Sequence, residues 1–227
     1  MRYASQCWTI ATKDLRSEFR TKESLNAAIA FALVVLVLFS FTADITNPEL
    51  IYEMSGGLLW LVYAFAGTLV LNRSFARELP NDALDVLIAS PAPGSAIFLG
   101  KAVANYLLLL LIELICLPIF GILYNVRWER NIPWLVAVIL LATWGMTVIG
   151  TAFSALTVNL RLRELMLPTL IYPMLIPALM AAMRLSTVLI SGEAITGNDW
   201  IWFRLLIGFD IIFTSLALLL VEVILVG

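Results

Sequence analysis

Six stretches of this chain are each long and apolar enough to cross a lipid bilayer: approximately Leu25–Ala43, Met54–Leu71, Ile97–Leu123, Ile132–Val158, Leu165–Met183 and Trp200–Val226. A helix rises about 1.5 Å per residue, so about 20 mainly apolar residues cover about 30 Å of hydrocarbon. The alternating pattern of a membrane β-strand is absent, and the backbone must therefore satisfy its hydrogen bonds within helices. With 62% hydrophobic and 13% charged residues and a mean hydropathy of +0.98, the chain carries more apolar surface than a soluble domain of this size buries. The expected fold class is all-α, a polytopic membrane protein of six spans.

The cations predict its orientation. With a cytoplasmic N-terminus, the inside segments hold Arg2, Lys13, Arg16, Arg20, Lys22, Arg73, Arg77, Lys101, Arg161 and Arg163, ten of the fourteen basic residues. Only Arg127, Arg130, Arg184 and Arg204 fall outside. Both termini are then expected in the cytoplasm, together with the segment from Phe75 to Lys101 between spans two and three. The first span follows a long charged leader, and a cut after Ala43 would need a small residue where bulky Phe41 stands, so the span is expected to be retained.

Two short amphipathic helices are expected outside the spans. In the leader, residues 1–24, Trp8, Ala11, Leu15 and Phe19 share one helical face while Lys13, Arg16 and Arg20 lie away from it. This pattern predicts a helix resting on the headgroups; a charged flank that only enforces topology is the simpler alternative. In the loop, Asp82 is placed to cap a short helix with Asp85 three residues on, and Pro91, Pro93 and Gly94 end it. Ala83, Leu84, Leu87 and Ile88 then make an apolar face suited to a groove on another protein, or to the membrane surface.

Catalytic chemistry has little to stand on. Histidine is absent, removing the usual general base and the commonest metal and haem ligand. Cys7 and Cys116 are the only cysteines; one precedes the first span and the other lies within the third, so they are not expected to pair. The run from Gly94 to Gly100-Lys101 looks superficially like a phosphate-binding loop. Its glycines are separated by five residues rather than four, and Ala102 replaces the magnesium-binding hydroxyl. No nucleotide site, bound cofactor, metal or nucleic-acid partner is expected of this chain alone.

Polar groups inside the spans are the remaining candidates. Glu113 falls near the middle of span three, where an uncompensated charge costs on the order of 3 kcal/mol, and Asp210 lies nearer the outer surface of span six. Each is a candidate either for a substrate-path or coupling role or for a structural contact; Glu222 is expected to snorkel. Thr147, Thr151 and Ala155, with Gly150 and Ser154 beside them, form a small-residue stripe that reads as a packing face. Pro168, Pro173 and Pro177 are expected to kink or interrupt span five. Met166, Met174, Met180 and Met183 read as adaptable packing, and Asp199-Trp200-Ile201-Trp202 as an interfacial anchor.

The order Phe75, Arg77-Glu78, Ala83-Leu84-Asp85-x-Leu87, Pro91 and Gly100-Lys101 resembles the loop of ABC-2-type exporter permeases. Within that class, the length, the six-span plan and the run Leu167-Pro168, Tyr172-Pro173-Met174-Leu175-Ile176-Pro177 are similar to the haem exporter permeases of cytochrome c maturation, the CcmB family. The likeness covers nearly the whole chain, 1–227, read as a single permease domain.

That resemblance implies that the loop, residues 75–95, carries a coupling helix docking on a separate cytoplasmic ABC ATPase. The implied contact residues are Glu78, Asp82, Leu84, Asp85 and Leu87; where many relatives have Gly before the Leu-acid pair, this chain has Asp82-Ala83. It implies further partners: a second multi-span, haem-handling subunit, a small one-span subunit and a periplasmic haem chaperone. ATP would be used on the ATPase subunit and haem handled by the complex, in the bacterial cytoplasmic membrane. A generic ABC-2 exporter of lipid, glycan or drug, and an assembly scaffold whose loop only recruits a partner, are the alternatives.

Overall fold

A computed structural model describes residues 2–42, 48–80, 83–158, 160 and 162–226. Among them are eight α-helices: α1 Arg2–Thr21, α2 Glu23–Thr42, α3 Pro48–Asn72, α4 Ala83–Ile88, α5 Gly94–Tyr124, α6 Ile132–Thr157, α7 Arg163–Ser191 and α8 Asp199–Val226. No strand occurs among the described residues. Six of the helices, α2, α3 and α5 to α8, are long and apolar enough to cross a membrane, as the hydropathy predicts.

The bundle is built around α3, α6 and α7. Helix α7 packs along both α3 and α6, α8 lies on α6, and α2 lies on α3. Helices α2 and α8 bury least and face outward, with Val34, Leu38 and Phe41 on the first and Ile211, Ile212 and Leu219 on the second exposed. Such apolar surface suits contact with lipid.

Small residues set how closely the helices approach. The stripe on α6 is a packing face, with Thr147, Thr151, Ser154 and Ala155 all buried. A side chain at Gly150 would run into Leu71 of α3. Pro168, Pro173 and Pro177 lie inside α7, which runs without interruption from Arg163 to Ser191. Trp60 Nε1 on α3 donates to Ser186 Oγ on α7 at 2.9 Å, and the Gly56 amide donates to Thr187 Oγ1 at 3.2 Å. These bonds secure α7 beyond its prolines. The helix ends at Gly192 (φ 80°), whose left-handed backbone lets Glu193 N reach Val188 O at 3.1 Å.

Helix α5, with 31 residues, is about 46 Å long and outreaches the hydrocarbon by about ten residues. Its first turns, from Gly94, lie beside the α3–α5 loop. Helix α1 packs against them. One residue joins α1 to α2: Lys22, at φ 57°, with its amide donating to Glu18 O at 2.6 Å and its carbonyl accepting from Asn26 N at 2.9 Å.

Candidate functional site

The α3–α5 connection is held by charge. It begins with a short 3-10 turn, Ala76–Glu78, followed by α4. Gly100 brings α1 against α5, because a Cβ there would stand 2.7 Å from Ile10 Cβ and 2.8 Å from the Cys7 carbonyl oxygen. The next side chain, Lys101, is fully buried. Its Nζ donates to Asp14 Oδ2, Ser74 O and Glu78 Oε1, each at 3.0 Å, and lies 5.0 Å from the centre of the Phe75 ring. Lys13 Nζ adds a 2.5 Å bond to Glu78 Oε1 and lies 3.3 Å from Asp14 Oδ1. Two ammonium groups thus face two carboxylates, and no charge is left uncompensated.

A second cluster ties α1 to the loop and to α2. Glu18 is buried; it accepts from Arg77 Nη2 and, at 2.7 Å, from the Leu25 amide. The same Arg77 nitrogen donates to Ser24 Oγ at 2.6 Å. Arg73 and Glu23 also pair, at 2.6 Å, but both are exposed, and such pairs contribute little. Asn105 Nδ2 extends the network to α6, donating to Ser74 Oγ at 2.7 Å and Thr151 Oγ1 at 3.0 Å. Burial works to lower the Lys13 pKa, yet the Glu78 bond and the charges of Asp14 and Glu78 outweigh it and hold it above the ordinary lysine value. Burial pushes the Cys7 thiol up, away from thiolate reactivity.

The expected contact residues divide between the inside and the outside of the loop. Leu84 is buried in a cluster with Ile10, Phe75, Ile97, Ala155 and Val158, and Leu87 packs against its edge. Asp85 and Val86 face outward, Val86 with 71% of its surface exposed. Glu78 is occupied by the two lysines. Asp82 and the capping box expected of it lie outside the described residues. Pro93 stands at the N-cap of α5, which opens at Gly94.

The leader's apolar face is divided, with Leu15 packed against the core. Ala11 and Ile10 are buried with Glu18, whereas Trp8 (60% exposed) and Phe19 remain on the surface. The receiving surface is α5 and the loop, which supply cations for Asp14 and Glu18, so the protein-facing side of α1 is rotated from the aromatic stripe.

Deeper in the bundle, Glu113 lies buried on α5 with both carboxylate oxygens 2.8 Å from Thr143 Oγ1 on α6. Asp210 on α8 is buried against α6, where a Cβ at Gly145 would stand 2.6 Å from its Oδ1. Neither Asp210 oxygen has a hydrogen-bond partner among the described residues. Cys7 and Cys116 are both free. Asp199 Oδ2 accepts from the Thr196 amide and hydroxyl at 2.9 and 2.7 Å, fixing the start of α8, where Trp200 meets Trp134 edge-on at 5.3 Å.

The sequence reading missed the pairing of Asp14 with Lys101 and of Glu18 with Arg77. Its signal was an acid pair four residues apart on α1, and a Gly-Lys step at the mouth of a span.

The sequence pattern of the CcmB protein family matches residues 5–222. Heme exporter protein B of Rhodobacter capsulatus is 32% identical over 170 residues, covering 75% of this chain and 77% of the relative. Proteins of the same name from Paracoccus denitrificans (32% identical; 74% and 76% covered) and Haemophilus influenzae (30%; 76% and 77%) are also similar. A match that takes in the leader, the α3–α5 loop and all six spans is a match to the whole architecture, and this chain belongs to the CcmB protein family.

Proposed function

We propose that this chain is the membrane permease subunit of an ATP-driven complex acting in cytochrome c maturation, in the bacterial cytoplasmic membrane with both termini in the cytoplasm. It is not itself a catalyst: ATP is hydrolysed on a separate cytoplasmic ABC ATPase. Closure of that subunit moves the bundle and serves haem delivery or the release of a haem-loaded chaperone. The remaining partners are a second multi-span haem-handling subunit, a small one-span subunit and the periplasmic haem chaperone. Family membership and the name shared by the relatives support haem as the cargo of the complex over a lipid, glycan or drug.

The observation that carries the coupling role is the buried Lys101. Through Asp14 and Glu78 it joins α1, the loop and α5, so a push on the loop is delivered to the bundle rather than absorbed by a slack connection. The docking face consists of Asp85 and Val86, with Asp82 retained from the sequence pattern; Leu84, Leu87 and Glu78 act from behind, holding that face in place. Helix α1 rests at the headgroups with Trp8 and Phe19 toward lipid. A cysteine at Val86, in a background with Cys7→Ser and Cys116→Ala, is expected to cross-link to the ATPase in membranes. Labelling of that cysteine from the periplasm, with no cross-link, would reject the assignment.

A further inference from the structure

A cavity of about 600 Å³ opens where three spans end, between the first residue of α2, the last turn of α3 and the first turn of α7. Its size is that of a small-molecule site. Four charged side chains line it: Glu23, Arg73, Arg77 and Glu164. Arg73 pairs with Glu23, both exposed, and Arg77 with the buried Glu18. One acceptor open to the cavity is left over among the described residues. Glu164 is exposed and forms no ion pair with a described side chain. Asn72 lines the wall through other atoms, its Oδ1 being sealed from the cavity.

The lining is balanced in charge, so a purely anionic ligand gains little from it. The free carboxylate calls for a cationic N–H donor, and the exposed Arg73 beside it can take a phosphate in place of Glu23. The remaining wall is apolar. Leu69 and Leu165 line the cavity, and one turn further along α3 the exposed Phe65 stands 5.4 Å from the Tyr172 ring of α7. Phe65, Leu69 and Asn72 fall on one face of α3, giving a track from the charged mouth into the span region. A soluble cation or a lysine from a partner has no use for such a track; an acyl chain does.

We propose that this cavity seats a phospholipid whose headgroup carries a primary ammonium, of the phosphatidylethanolamine class. The ammonium lies on the Glu164 carboxylate, the phosphate on Arg73, and an acyl chain along Leu69, Leu165 and Phe65. A quaternary choline headgroup has no N–H to donate to Glu164, and a glycerol headgroup has no positive charge for it. The seat adjoins Ala76 and Arg77 of the loop, so its occupancy bears on the rigidity of the loop's base. It does not depend on the cargo proposed above.

The full-length chain, delipidated in mild detergent, is offered phosphatidylethanolamine, phosphatidylcholine or phosphatidylglycerol with matched acyl chains, and bound lipid is counted by native mass spectrometry. Phosphatidylethanolamine is expected to be retained about tenfold better than the other two, as loss of one charge-assisted hydrogen bond predicts. Glu164→Gln is expected to abolish that preference, while Glu49→Gln, an exposed carboxylate at the opposite end of α3, leaves it intact. Equal retention of all three lipids, preference for phosphatidylglycerol, or an unchanged preference in Glu164→Gln would each overturn the proposal. Should Glu164→Gln prove unstable, Leu165→Trp, which fills the cavity from an exposed position, must give the same loss.

Discussion

Lys101 Nζ lies 3.0 Å from Glu78 Oε1, and the fully buried Lys101 side chain also meets Asp14 from α1. A lysine at the mouth of a span therefore works as an internal tie between three elements, with its charge matched on both sides.

Removing that tie leaves two carboxylates partly uncompensated. Lys101→Met is expected to destabilise the chain by about 3–5 kcal/mol. The triple variant Lys101→Met, Asp14→Asn, Glu78→Gln should recover a large share, because it removes the stranded charges together. Thermal unfolding in detergent, read for both variants, checks the order; equal losses would show that charge burial is not the cause.

Gly100→Ala inserts a methyl into the α1–α5 contact, where Ile10 Cβ would be 2.7 Å away. Forcing the helices apart should cost about 1–3 kcal/mol. Cys7, half-buried on the same face, should then react faster with a maleimide than in the parent chain.

At Glu113 the two partners are not equivalent. Glu113→Gln keeps an oxygen for the Thr143 hydroxyl and is expected to change stability by about 1 kcal/mol or less. Thr143→Val strips the carboxylate of its donor and should cost about 1–3 kcal/mol. A lower Tm for Glu113→Gln than for Thr143→Val would contradict this assignment.

In the loop, Leu84→Asp and Val86→Asp should fail in different ways. The first drives a charge into the cluster around Phe75 and is expected to loosen the loop itself, seen as faster proteolysis. The second lies on the outer face and should leave Tm unchanged while reducing co-purification of the proposed ATPase partner at least about tenfold. Wild-type recovery of the ATPase with Val86→Asp would remove that residue from the contact.

The spans were legible because lipid demands long apolar helices, and hydropathy reads that demand directly. Their ends were less so. Helix α7 continues through Ser186 and Thr187 past the expected end at Met183, since those polar groups meet Trp60 and Gly56 of α3. A window of hydropathy sees polarity but not the partner that satisfies it. The same limit applies to α1: its period showed the aromatic stripe, whereas Asp14 and Glu18 became the inner side because Lys101 and Arg77 await them. In α4, the apolar residues expected to meet another protein include Leu84, which the chain itself covers.

The single-residue join at Lys22 has a mechanical consequence. Helix α1, 20 residues long, is a lever of about 30 Å with its fulcrum at the rim of the first span, so a swing of about 10° displaces its free end by about 5 Å. Because Gly100 and Lys101 fasten the middle of that lever to α5, α1 and the foot of α5 tilt as a unit. Torque delivered there arrives at two spans at once.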